Sequence, residues 1–181
     1  PDTATLFFGE QVTAGKLAEL ARDAEVAART GAREVEALPD AAADVGPAIK
    51  RLRLALGDMP AKLTQRAAAE RAGVADALGA LAAALDRLST ELGRYAERSE
   101  ELSSCATRAT EAAATLARWM GGLRPDTGGD PATAGTQWVR WVDVTTQGFQ
   151  LHASPLSVAD TFAHEVTESG RAWILTSATL A

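Results

Sequence analysis

The chain has 181 residues, a net charge of −6, a hydrophobic fraction of 46% and an aromatic fraction of 5%. This length allows one domain, or one domain with part of a second, and the alanine-rich composition favours helices over sheets. The negative charge argues against a nucleic-acid-binding surface over the whole molecule, but it leaves room for a local basic stripe.

The two ends of the chain lead us to expect a longer parent protein. The chain opens at Pro1 without an initiator methionine, and it closes at Ala181 soon after the apolar run of residues 172–175, which predicts a buried strand. Domain termini normally sit in exposed segments with few contacts. We therefore expect these residues to be a piece of a larger protein.

Two helices are predicted in the first third of the chain. Apolar residues recur at spacings of three and four over residues 13–36, which is the period of one helix face. Leu38-Pro39-Asp40 is expected to end this helix, because the residue before proline is pushed out of the helical region. A second helix is predicted over residues 40–56, although Gly46-Pro47 lies inside it.

The most regular part of the chain is residues 61–120, preceded by Asp58 and Pro60, which are predicted to cap a helix. Its apolar residues follow an a/d heptad pattern over six repeats, and Ser99 is the one clearly polar interruption. We expect one long helix, in which the glycines at 73, 79 and 93 allow a kink or a break. The two earlier helices are its simplest antiparallel partners, and self-association in trans is the alternative.

The composition changes at Gly121, where a glycine-rich linker over residues 122–135 is predicted. Beyond it the period becomes two, so residues 138–144 and 149–152 predict a pair of strands in a hairpin. A short helix and the strand 172–175 are expected to follow. Such a tail is too small to bury a core alone. The predicted fold is therefore mainly α, with long antiparallel helices and a small β-β-α-β fragment of a larger α/β core.

Cysteine content and hydropathy indicate the compartment. Cys105 is the single cysteine, which excludes an intramolecular disulfide framework and any thiolate cluster built from this chain alone. No apolar stretch approaches the roughly 18 residues that a membrane span needs, and nothing resembles a signal peptide. We expect a reducing, cytoplasmic location and no membrane contact.

Short motifs near both ends of the chain carry a family resemblance. The last strand runs into Thr176-Ser177-Ala178-Thr179-Leu180, and Leu151-His152-Ala153-Ser154-Pro155-Leu156 precedes that strand by one predicted helix. The chain opens with Pro1-Asp2-Thr3-Ala4-Thr5. These stretches resemble motif III, the strand before it and the segment after the Asp-Glu-Ala-His box in DinG/YoaA-like helicases, an XPD-like family of superfamily 2.

This resemblance implies that the parent is an ATP-dependent 5′–3′ DNA helicase, an ATP hydrolase, with DNA repair as its expected pathway. Residues 1–12 would follow the motif II strand, residues 13–121 would form the helical arch domain, residues 122–135 would be a linker, and residues 136–181 would end helicase domain 1. Hydroxyl groups at the carboxyl end of a parallel strand project towards the nucleotide crevice of an α/β sheet. The implied coupling residues of motif III are Thr176, Ser177, Ala178 and Thr179.

The resemblance also implies ATP, Mg and a 4Fe-4S cluster in the parent, with single-stranded DNA as its partner. The chain itself contains neither a phosphate-loop motif nor an Asp-Glu-Ala-His box, and Cys105 cannot replace a four-cysteine site. We therefore expect no cofactor and no enzymatic activity in this piece alone. Its expected role is to shape the passage for single-stranded DNA.

Two groups of basic residues are candidate contacts to DNA phosphates. In the first group, Arg87, Arg94 and Arg108 are predicted to share one face of the long helix at heptad spacing, with Arg98 close by. The second lies upstream and consists of Lys50, Arg51, Arg53, Lys62 and Arg66. Acidic residues interleave with the first group, so a solvated helix flank is the alternative.

The remaining reactive side chains have structural explanations beside the functional ones. His152 is either a buried core or interface histidine or a DNA or nucleotide contact, and His164 is predicted at the surface. Cys105 is expected to be a small packing residue. No Ser/His/Asp or Cys/His motif supports a nucleophilic hydrolase. The competing class for the whole chain is a helical scaffold or dimerisation module that self-associates through exposed apolar surface.

Overall fold

The computed structural model describes residues 9–32, 34–121 and 138–155. In chain order these residues form β1 (Glu10–Thr13), α1 (Ala14–Gly31), α2 (Ala37–Ala55), β2 (Ala61–Thr64), α3 (Gln65–Ala69), α4 (Val74–Tyr95), α5 (Glu100–Gly121), β3 (Trp138–Val144) and β4 (Phe149–Pro155). A 3₁₀ turn, Ala96–Arg98, separates α4 from α5. The predicted class, mainly α with a small β part, is confirmed. The predicted linker, short helix and final strand lie outside the described residues.

Four of the helices, α1, α2, α4 and α5, form an antiparallel bundle in which each packs against the next and α5 returns to α1. The antiparallel order of α1 and α5 is visible in the pairing of Asp23 with Arg108 and of Glu34 with Arg98. Each helix turns an apolar stripe inwards. The buried leucines at the centre are Leu17, Leu20, Leu52, Leu78, Leu81, Leu85, Leu88, Leu92, Leu102 and Leu116.

The first two helices have bounds that differ from the prediction. α1 ends at Gly31 rather than residue 36, because Ala32 has left the helical region with φ −149° and ψ 49°. α2 begins at Ala37, so that Pro39 lies in its first turn, where the missing N–H is not needed. Pro47 lies inside α2, and the helix continues through it.

The stretch of residues 61–120, predicted as a long helix with room for a kink or break at its glycines, is divided into β2, α3, α4 and α5. The chain reverses at Ser99, which has an extended backbone with φ −156° and ψ 157°. The Ser99 hydroxyl accepts a hydrogen bond from the main-chain N–H of Leu102 at 3.2 Å, so it caps the start of α5. The heptad pattern continues across this break because α4 and α5 both turn their apolar faces towards the same core.

Of the three glycines at which a kink or break was predicted, one lies at a break. Gly79 and Gly93 lie inside α4 and cause no break. Gly73 directly precedes α4 with a φ of +78°, which a residue with a side chain rarely adopts. Asp58 and Pro60 lead into β2 rather than into a helix, and it is Thr64 whose hydroxyl caps the short helix α3.

The strands form one antiparallel sheet in the order β1-β4-β3-β2. The predicted hairpin is confirmed, since β3 and β4 pair along their full length. β1 places Val12 opposite Leu151 of β4, and β2 places Leu63 opposite Val142 of β3. The sheet therefore joins residues from three of the four predicted domain segments, and its apolar face shares one core with the bundle. The domain boundaries themselves stay a prediction.

Candidate nucleic-acid surface

The nine basic residues predicted to contact DNA lie on six different elements rather than on two continuous surfaces. Arg87 and Arg94 belong to α4, whereas Arg108 belongs to α5. The prediction that these three share one helix face is wrong, because the turn before α5 reverses the chain between them. Contact with DNA by any of the nine stays a prediction.

All four arginines of the first group have carboxylate partners. The pairs are Arg87 with Asp44, Arg94 with Glu91, Arg98 with Glu34 and Arg108 with Asp23. Three of these pairs join different elements of the bundle, and the pair of Arg94 with Glu91 lies within α4. A neighbouring carboxylate offsets the positive charge that a phosphate would meet, so this group is a weak candidate on electrostatic grounds.

Three residues of the second group also have partners. Arg53 donates to the main-chain carbonyl of Gly57, Arg66 lies 3.4 Å from Glu70, and the Lys62 ammonium lies 3.8 Å from Asp143 and 5.4 Å from the centre of the Trp141 ring. Each of these basic groups therefore already interacts with a carbonyl, a carboxylate or an aromatic ring of this chain. These contacts leave Lys50 and Arg51 as the two candidates without an ion pair or hydrogen bond within the described parts of the chain.

Lys50 and Arg51 are exposed and adjacent on α2, near the end of that helix that meets the sheet. Arg51 lines a groove of about 350 Å³ between α2 and α4, together with the ion pair of Arg87 and Asp44. The other lining residues are Pro47, Ala48, Ala80, Ala83 and Ala84. Of the three charged residues in this groove, Arg51 is therefore the one without a carboxylate partner among the described residues.

The end of the bundle far from the sheet is acidic. Its turns carry Glu34, Glu36, Glu97, Glu100 and Glu101. The pKa of Glu34 is lowered by a hydrogen bond from its own main-chain N–H and then by Arg98. The pKa of Glu101 is lowered in the same way by its main-chain N–H and then by the Ser99 hydroxyl. Ionised carboxylates there repel phosphate, so the charge favours DNA contact at the sheet end.

His152 is the most buried titratable group of the sheet. Its ring stacks on Trp141 with ring centres 4.8 Å apart and an angle of 8° between the planes. Its Nε2 lies 3.2 Å from Asp143 Oδ2 but outside hydrogen-bond alignment, and neither ring nitrogen has a hydrogen-bond partner among the described residues. Burial lowers the pKa of His152; Asp143 opposes this shift, and Lys62 adds to it.

Other predicted site residues are placed as follows. Cys105 is 3% exposed, and burial raises the pKa of its thiol, in keeping with a packing residue. Within residues 9–32, 34–121 and 138–155, no group of three His, Cys, Asp or Glu side chains could hold a metal ion. No helix in this part of the chain is long and apolar enough to cross a membrane. Thr176, Ser177, Ala178, Thr179 and His164 lie outside the described residues.

Comparison with known proteins places the chain. No protein-family model matches it, and no solved structure gives a significant match. The ATP-dependent DNA helicase YoaA of Haemophilus influenzae is 27% identical over 181 residues, which is 99% of this chain. The ATP-dependent DNA helicase YoaA of Escherichia coli K12 is 27% identical over 180 residues.

The chain is a distant relative of the YoaA helicases. It spans 27% of the length of each of these curated relatives. The resemblance first seen at the two ends is thereby confirmed, and the similarity to YoaA also runs through the helical middle, where no short motif is present. A helicase-related piece is the coarse assignment that this similarity supports.

Sequence reasoning missed two residues at the junction of bundle and sheet, Gln65 and Trp119. Gln65 precedes a run of small helical residues and Trp119 ends a helix, so neither belongs to a motif. Their role depends on contacts between residues more than thirty positions apart in the chain.

Proposed function

We propose that this chain is the arch-bearing part of an ATP-dependent DNA helicase, in which the four-helix bundle shapes the passage of single-stranded DNA beside the motor. The observation that carries the proposal is the similarity to YoaA along nearly the whole chain. The parent is proposed to move 5′–3′, to act in DNA repair and to be cytoplasmic, as the family resemblance implies. The chain alone is expected to be inactive, because it lacks the phosphate loop.

The distribution of charge supports a specific face for the DNA. Within the described parts of the chain, Lys50 and Arg51 have no ion pair or hydrogen bond, and Arg51 lines the groove between α2 and α4, whereas the far turns of the bundle are acidic. Phosphate contacts need cations that are not already neutralised by carboxylates. We place the strand along the sheet-proximal part of α2, with the four paired arginines, Arg87, Arg94, Arg98 and Arg108, in a secondary role.

The parent is expected to use ATP, Mg and a 4Fe-4S cluster. The residues described here do not fit these groups, since Cys105 stands alone and no set of metal-ligating side chains converges within the described ranges. Thr176, Ser177, Ala178 and Thr179 remain the proposed coupling residues between the ATP site and the DNA. Hydrolysis would take place on parts of the parent beyond these residues.

The scaffold alternative loses its main support in the bundle. A dimerisation module would present its heptad seam to a second copy. Here the seam leucines of α4 and α5, including Leu88 and Leu102, are fully buried against the other helices of the same chain. The apolar periodicity is therefore accounted for without a partner.

Three experiments test the proposed function. The parent gene should encode Asp-Glu-Ala-His, or a close variant, just before Pro1. The full-length parent should open a forked duplex in an ATP-dependent manner, and a parent in which Lys50→Gln and Arg51→Gln are combined should bind single-stranded DNA more weakly. A parent that lacks the box, or that hydrolyses no ATP in the presence of DNA, would overturn the proposal.

A further inference from the structure

The base of α5 is joined to the sheet by a buried run of hydrogen bonds. The indole Nε1 of Trp119 donates to the main-chain carbonyl of His152 in β4 at 3.0 Å. The side-chain amide of Gln65, at the start of α3, donates to the main-chain carbonyl of Trp119 itself. Trp119 is 3% exposed, and Gln65 and His152 are each 8% exposed. The elements α3, α5 and β4, which are distant in the sequence, therefore meet at one buried position.

Burial makes these hydrogen bonds specific. A buried indole N–H needs an acceptor, because an unsatisfied donor costs more free energy than an ordinary hydrogen bond contributes. The carbonyl of Trp119 lies in the last turn of α5, where carbonyls have no partner within the helix. Gln65 supplies the missing donor. Both hydrogen bonds form together in one orientation of α5 relative to α3 and β4.

A second contact at the same place is of a different kind. Arg118 lies 2.9 Å from Glu10 of β1, but both side chains are substantially exposed. Exposed ion pairs contribute little free energy and hold geometry loosely. The buried bonds of Trp119, rather than this pair, are therefore what can fix the angle between the bundle and the sheet.

We propose that Trp119 is a positioning residue that, together with Gln65, sets the orientation of the helical bundle on the sheet. Through that orientation it places the Lys50 and Arg51 surface relative to the motor domain. This role in DNA handling rests on the proposed helicase function, whereas the mechanical role does not. Trp119 need touch neither DNA nor nucleotide.

Hydrogen exchange of the full-length parent tests the mechanical role. Trp119→Phe keeps the ring and removes the N–H donor. Main-chain amides of residues 64–69 and 116–121 should exchange about fivefold faster, as expected for the loss of one ordinary hydrogen bond. Amides in the middle of α4 should be unchanged. Arg118→Gln is the matched control, because it removes the exposed ion pair with Glu10 at the same junction and leaves the buried hydrogen bonds in place.

Gln65→Met provides a second variant in case Trp119→Phe lowers the yield of folded protein. It removes the donor to the Trp119 carbonyl and should speed exchange over the same residues. Unchanged exchange over residues 64–69 and 116–121 in both variants, or equal acceleration in Arg118→Gln, overturns the positioning role.

The ratio of base pairs opened to ATP hydrolysed tests the consequence for DNA. We expect Trp119→Phe to lower this ratio severalfold while DNA-stimulated ATP hydrolysis and its KM for ATP stay close to wild type. A loss of folded enzyme would lower hydrolysis and unwinding in proportion and leave the ratio unchanged, which would count against the proposal. If wild-type parent opens no duplex, the helicase proposal fails, and hydrogen exchange still decides the role of Trp119.

Discussion

Arg108 of α5 and Asp23 of α1 form an ion pair of 2.6 Å that spans the interface where the bundle closes. Their side chains are 39% and 44% exposed, so water screens the attraction. In a double-mutant cycle with Arg108→Gln and Asp23→Asn, we expect a coupling free energy below about 1 kcal/mol. Urea denaturation of the chain measures it. A much larger coupling would show that the pair is a principal clamp of the bundle.

Replacing Arg51 should change the salt dependence of DNA binding. The Arg51→Gln parent is expected to bind single-stranded DNA more weakly. The negative slope of log K against log salt should become less steep by about 0.7, the value for one lost phosphate contact on a single strand. Titration at several salt concentrations gives the slope. Arg22→Gln on the exposed side of α1 is the matched control. An equal fall in both variants would mean that overall charge, not the α2 surface, is responsible.

Stability should depend on the protonation of His152. Burial holds the pKa of folded His152 below its ordinary value, so the unfolded chain binds the proton more readily. The free energy of unfolding should therefore fall as the pH is lowered through about 6.5, by at most about 1.4 kcal/mol per pH unit for one proton. Denaturation between about pH 7.5 and 5.5 measures this, above the range in which carboxylates titrate.

The variant His152→Gln should flatten that pH dependence. If the slope persists in His152→Gln, another group is responsible for the pH effect.

The break between α4 and α5 should be sensitive to Ser99. Ser99→Ala removes the hydroxyl that accepts the Leu102 N–H, and the loss of a serine N-cap costs about 1 kcal/mol. Thermal or urea denaturation should show this loss, while Ser103→Ala, at an exposed position inside α5, should change stability little. Equal effects of the two substitutions would argue against the capping role.

Local patterns predicted the elements better than their arrangement. The 138–155 hairpin has neighbouring strands and a short turn, so its alternating residues were enough to predict it. β2 was missed because Ala61–Thr64 becomes a strand only by pairing with β3, some eighty residues further along the chain. The break at Ser99 was hidden because two antiparallel helices around one core continue the same apolar spacing.

For the candidate surface, the sequence was enough to identify the basic residues by type. It was not enough to identify their ion-pair partners. Arg98 meets Glu34 and Arg87 meets Asp44 across helix interfaces, and no periodicity indicates such pairs. The helicase relation, by contrast, depended on short motifs whose order along the chain is itself the signal.

The proportions of α5 make the junction at its base consequential. With 22 residues, the helix is about 33 Å long. Over that length, a tilt of about 5° where the bundle meets the sheet displaces the Ser99 turn by about 3 Å, close to the rise between neighbouring residues of a strand. The bundle is thus a long arm, and a small change of angle at its root becomes a larger displacement at its acidic tip.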